Sequence, residues 1–135
     1  MIKTIEVKFS RATKSNLKTI QEDNVIDQCL SAGNLGNRTF NKANATKTAF
    51  DSNIQQVKCR NFDILYYGLF YADSIEIFCI ESTHVKDIPG YSNKQHDGNI
   101  GEGQFHLNNK TIESHRELYF KKKLTYQQLY NVLNS

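Results

Sequence analysis

Residues 62–80 read FDILYYGLFYADSIEIFCI, and the reading of this stretch decides the fold. It is rich in β-branched and aromatic residues and is broken once, at Tyr71-Ala72-Asp73-Ser74, by turn-forming residues. The pattern predicts a hairpin of two strands. Apolar residues fall on both faces of each half, which places the pair centrally in a sheet. Tyr66, Tyr67, Phe70 and Phe78 are therefore expected in the core, although rings at this spacing also suit the base-stacking platforms of single-strand binders.

Upstream, residues 2–9 alternate as a strand does, with Val7 and Phe9 pointing one way and Glu6, Lys8 and Ser10 the other. Leu17, Ile20, Val25, Ile26, Cys29 and Leu30 fit a helix over 18–32, closed by Ser31-Ala32-Gly33-Asn34. Residues 33–53 are polar and basic, and read either as a long loop or as a loop with a short helix near 44–51. Downstream, turn residues fill 82–103 and Gln104-Phe105-His106-Leu107 reads as a short strand. Helices are predicted over 112–119 and 125–133, the second capped by Thr125. Lys121-Lys122-Lys123 between them reads as a solubilising turn. The expectation is a mixed α/β domain with a central sheet flanked by helices, spanning 1–135 as one unit.

The composition is globular, 39% hydrophobic and 23% charged, with one Pro and no Trp. Charge is unevenly spread. Residues 1–60 hold ten Lys/Arg against five Asp/Glu, whereas residues 61–135 hold seven against nine. A basic half suits an anionic partner such as DNA, and also suits a solvated surface. Cys29, Cys59 and Cys79 lack metal-ligand spacing and read as buried free thiols of a reducing compartment. No run approaches the roughly 20 apolar residues of a membrane span, and no apolar leader opens the chain, so no membrane partner and a cytoplasmic location are expected.

Chemistry enters at Ile5-Glu6-Val7-Lys8-Phe9-Ser10-Arg11-Ala12. A metal-dependent nuclease needs hard oxygen ligands for Mg²⁺ and a cation beside the attacking water or scissile phosphate. Glu-x-Lys on a strand supplies both on one face, with Lys8 about 6–7 Å beyond Glu6. Glu6 is the candidate metal ligand, Lys8 the second catalytic residue, and Arg11 a phosphate contact. The same tripeptide also describes ordinary cross-strand charge pairing.

The order IEVKFSRA, a helix, a basic Asn-rich segment, SNIQQVKCRNFDILYYGLF and SIEIFCI resembles the PD-(D/E)XK superfamily, in particular type II restriction endonuclease-like proteins, over roughly residues 2–80. The resemblance implies Mg²⁺-dependent hydrolysis of DNA phosphodiesters, with Glu6 on the ion and Lys8 as the catalytic lysine. It also implies a second metal-binding Asp on a strand before Glu6, where Met1-Ile2-Lys3-Thr4-Ile5 carries no acid. Three expectations follow: the chain is the C-terminal part of a longer nuclease, another subunit of a homo-oligomer completes the site, or the protein is a catalytically inactive DNA-binding or protein-interaction module. Asp63, Asp73 and Glu76 are the acids within the chain that proximity in the sheet would allow to substitute.

Two further groups suit DNA. Lys94, Gln95, His96, Asn99, Gln104 and His106 carry side chains fit for base edges and phosphates. Arg38, Lys42 and Lys47, with Asn37, Asn41 and Asn44, suit a phosphate backbone. Each group reads equally as a hydrated loop. His96 and His106 with Glu102 or His115 form an alternative metal set, and His96 an alternative general base.

Overall fold

The computed structural model describes residues 2–15, 21–31, 38–94 and 100–135, with backbone only at 28, 29 and 31. The stretch at 62–80 forms the expected hairpin, β3 (Ile64–Phe70) and β4 (Ser74–Glu81), antiparallel with Tyr67 opposite Phe78. It is central, as its two-sided apolar pattern requires. The first strand, β1 (Ile5–Arg11), lies parallel to β3 with Lys8 level with Tyr67, and the sheet runs β1-β3-β4-β7.

Its other margin corrects the reading of the three lysines. Phe120–Thr125 is not a turn but an edge strand, β7, antiparallel to β4. Lys121, Lys122 and Lys123 are all exposed on it, where charge discourages pairing with a further chain. The helix α2 (Ile112–Tyr119) precedes this strand and α3 (Tyr126–Leu133) follows it, both as predicted. Thr125 caps α3 through a reciprocal box: its hydroxyl accepts from the Gln128 N–H at 3.1 Å, and the Gln128 side chain accepts from its own N–H at 2.7 Å.

A second sheet takes the place of one expected helical layer. The strands β2 (Asp51–Val57), β5 (Ser92–Lys94) and β6 (Ile100–Asn108) pair in the order β2-β6-β5. No strand is expected at 51–57 because its pattern is irregular: Ser52, Ile54 and Val57 turn inward, and two glutamines bulge between the last two. Gln56 takes φ 55° there, so the strict two-residue period is lost. The short helix near 44–51 is replaced by a 3₁₀ turn at Lys42–Asn44. The helix expected over 18–32 is α1 (Val25–Ser31) within the described residues.

The core lies between the two sheets. Tyr67 stacks on Phe78 at 5.1 Å and meets Phe105 edge-on at 5.0 Å, so one ring joins β3, β4 and β6. Tyr67 and Phe78 are fully buried, but Phe70 is 39% exposed and Tyr66 half-buried, so two of the four expected core aromatics sit on the outer face instead. Cys59 and Cys79 are free thiols but only half-buried; the Cys29 side chain lies outside the described residues. Among the described residues no helix is long and apolar enough to cross a membrane.

Gly68 sets the spacing of the hairpin. A Cβ there would stand 1.9 Å from the Glu76 carbonyl oxygen and 2.7 Å from the Phe9 ring. Gly68→Ala is expected to lower unfolding stability by about 1–3 kcal/mol, measured by urea titration, because backbone cannot yield as a side chain can.

Candidate active site

Strand β1 puts its polar side on the face of the sheet that carries the core. In the parallel register Glu6, Lys8 and Ser10 lie level with Leu65, Tyr67 and Leu69, all three fully buried. Val7, on the opposite face, is 62% exposed. The Lys8 ammonium stands 3.4 Å from the Glu6 carboxylate, with the two side chains 22% and 41% exposed. The pair is thus accessible from solvent at the sheet margin, and Arg11 is exposed at the strand's end.

The alternative acids are engaged elsewhere. Asp63 accepts the Thr4 N–H at 2.8 Å. Asp73 accepts the Lys42 N–H at 3.0 Å and the Ser74 hydroxyl at 3.2 Å in the hairpin turn. Glu76 lies two strands from β1, level with Leu69 and so with Ser10. Its carboxylate has no exposure and is fully occupied. Arg116 grips it through Nε at 2.8 Å and Nη2 at 3.1 Å, Tyr71 donates its hydroxyl at 2.8 Å, and the Lys42 ammonium stands 3.7 Å away. Arg116 also donates to the Lys42 carbonyl at 3.2 Å. Among the described residues, no three His, Cys, Asp or Glu side chains are grouped to hold an ion. Strand β1 therefore offers an ion one carboxylate, Glu6, at the lower limit of the one or two that Mg²⁺ takes alongside phosphate oxygens.

The expected DNA-contacting residues divide into two surfaces. Gln104 and His106 lie on the outward face of β6, where Gln104 bonds Asn53 at 2.9 Å and the Lys94 carbonyl at 3.3 Å, and His106 pairs with Asp51 at 2.9 Å. Among the described residues the Asn53 Oδ1 beside them is buried without a partner. Lys94 is exposed next to this patch, whereas Gln95, His96 and Asn99 lie outside the described residues. On the other surface, Lys14 reaches the Arg38 carbonyl through its N–H at 2.8 Å, and Lys47 is exposed on the following turn. Asn37 is outside the described residues. Lys42 turns inward to Glu76, so its ammonium serves the buried carboxylate, while Lys14, half-buried, joins Arg38 through the backbone.

The described members of the histidine metal set are engaged elsewhere, and His96 lies outside the described residues. Glu102 pairs with Lys58 at 3.7 Å. His115 is buried against Phe105 and Phe78, its Nδ1 meets the Tyr67 hydroxyl at 2.7 Å, and it also bonds the His106 backbone. Burial drives its pKa down to about 4, against the opposing influence of the His106 backbone bond and Glu76, so the ring is neutral. The same burial raises the Tyr67 phenol well above its ordinary value. The Glu76–Arg116 and Tyr67–His115 pairs carry no motif in the sequence; Glu76 alone is marked, as a charge inside an apolar strand.

Comparison with protein-family models, curated proteins and solved structures finds no match for this chain. The functional reading therefore rests on the geometry of β1 and its surroundings.

Two outcomes follow. Glu76→Ala leaves Arg116 and Lys42 beside an empty, buried position, and should cost about 3–5 kcal/mol in urea unfolding. The His115 pKa is depressed on folding, so the unfolded chain binds the extra proton below about pH 6.5 and stability falls as pH falls towards 4. Between pH 7 and pH 5 this term should remove about 2 kcal/mol, and His115→Phe should abolish that part of the pH dependence.

Proposed function

We propose that the protein is a Mg²⁺-dependent deoxyribonuclease of the PD-(D/E)XK, restriction endonuclease-like type. The observation that carries this reading is the Glu6–Lys8 pair, 3.4 Å apart on one accessible face of β1. The order around it supports the same reading: a Glu-x-Lys strand, a helix and, after β2 of the second sheet, a neighbouring strand, β3, parallel to the first.

In this reading Glu6 would hold the ion, which would supply charge neutralisation at the phosphate and a more acidic water. Lys8 sits where its ammonium offsets negative charge as the phosphorus becomes five-coordinate. One water is consumed: its oxygen forms a new bond to phosphorus, the bond to one ester oxygen breaks, and that oxygen leaves with a proton. Arg11 anchors a neighbouring phosphate, and the Lys14–Arg38–Lys47 surface with the Lys94–Gln104–His106 patch tracks the duplex.

A second reading, a catalytically inactive DNA-binding or protein-interaction module, is favoured by one feature: Glu6 is the sole carboxylate on that face of β1. The two readings separate on turnover. Purified protein with Mg²⁺ should nick supercoiled plasmid, and Lys8→Ala and Glu6→Ala should each slow it by about 10²–10³-fold without loss of folding. Equal rates for wild type and Lys8→Ala would remove Lys8 from the mechanism, and salt-sensitive binding with no turnover would establish the second reading.

A further inference from the structure

The two margins of the four-stranded sheet are built differently. The β7 edge presents three exposed lysines. The β1 edge presents Ile5 and Val7, 53% and 62% exposed, with the Glu6–Lys8 pair on the strand's other face and one exposed cation, Arg11, at its end. Backbone direction is settled by the flanking bonds. The Thr4 carbonyl accepts from Asp63 and Ile64, and the Ala12 N–H donates to Phe70, so even-numbered residues of this segment face β3. Successive peptide groups alternate, and odd-numbered ones therefore face the free edge. The Arg11 carbonyl does so, accepting from Ser52 at 3.3 Å. Among the described residues the edge-facing groups of Ile5, Val7 and Phe9 have no strand partner.

We infer that this edge pairs antiparallel with β1 of a second copy of the chain, about a two-fold axis at Val7, and that the pairing completes the Glu6–Lys8 site. The alternation allows only registers that put odd residues opposite odd ones. Centring on Glu6 sets Glu6 against Glu6 of the second copy, and centring on Lys8 sets lysine against lysine. Like charges directly opposite are unfavourable. Centring on Val7 sets Glu6 opposite Lys8 in both directions, Ile5 opposite Phe9, and Val7 against itself. That register alone opposes Glu6 to Lys8; its flanks set exposed Lys3 against Arg11, at the end where Ser52 already holds the Arg11 carbonyl.

The consequence reaches the site. Side chains directly across an antiparallel pair share a face, so two Glu6 carboxylates and two Lys8 ammoniums gather on one surface. The two Glu6 positions become diagonal neighbours, about 7–8 Å apart at the backbone and within joint reach of one ion. The second carboxylate that one chain lacks is then the second copy's Glu6. This deepens the nuclease reading and rests on it for its chemistry, but not for the association itself.

The test measures association of the full chain by sedimentation, without DNA or metal. Wild type should be dimeric at micromolar concentration. Val7→Pro removes an N–H that faces the free edge and none that faces β3, and should give a folded monomer. Glu6→Lys and Lys8→Glu should each be monomeric, and a mixture of the two should form the dimer again, since every cross-strand pair then carries opposite charges. Mn²⁺ titrated calorimetrically should bind wild type at least tenfold more tightly than Val7→Pro. A monomeric wild type, a dimeric Val7→Pro, or a mixture that stays monomeric overturns the pairing. Restored association together with equal Mn²⁺ affinity in wild type and Val7→Pro overturns completion of the site. A dimer that binds Mn²⁺ but never cuts DNA sinks the nuclease reading and leaves the pairing intact.

Discussion

The structure depends on satisfying one buried carboxylate, Glu76, in the interior. It sits on β4 among apolar neighbours with no solvent exposure, where an unpaired charge would cost several kcal/mol. The two nitrogens of Arg116 match its two oxygens, and Tyr71 and Lys42 complete the shell. These partners come from α2, from the hairpin turn, and from the 3₁₀ segment after the basic loop. Satisfying one group therefore fixes where three separate parts of the chain dock on the sheet. The bidentate geometry also explains why the arginine is needed: a lysine carries the charge but cannot bond both oxygens in one plane.

A second buried polar pair, Tyr67 with His115, secures the other side of the core. Tyr67 is the ring that joins the two sheets, and its hydroxyl needs a partner once water is excluded. The neutral imidazole supplies it. Because α2 carries both His115 and Arg116, adjacent residues of one short helix satisfy two buried groups on neighbouring strands. One short helix thereby anchors both central strands.

The β1 margin is where the candidate chemistry lies. Glu6 and Lys8 sit level with the core rows of β3, partly shielded and still reachable. The arrangement inverts the usual economy of an edge strand, in which the polar side faces water and the apolar side faces the core. Here the exposed face carries Val7 and the sheltered face carries the ion pair.

The sequence by itself determined the hairpin at 62–80, the two C-terminal helices and the cap at Thr125, because each is written in local periodicity and near-neighbour hydrogen bonds. It also determined that Glu6 and Lys8 share a face, since two-residue spacing in a strand leaves no other choice. Only the tertiary structure decided that Lys121-Lys122-Lys123 is an edge strand, that irregular 51–57 joins a second sheet, and that Lys42 belongs to Glu76. Each of those outcomes is a pairing between residues far apart in the chain. Its stability comes from a partner's backbone or charge, and such a partner leaves no trace in the periodicity of the segment it meets.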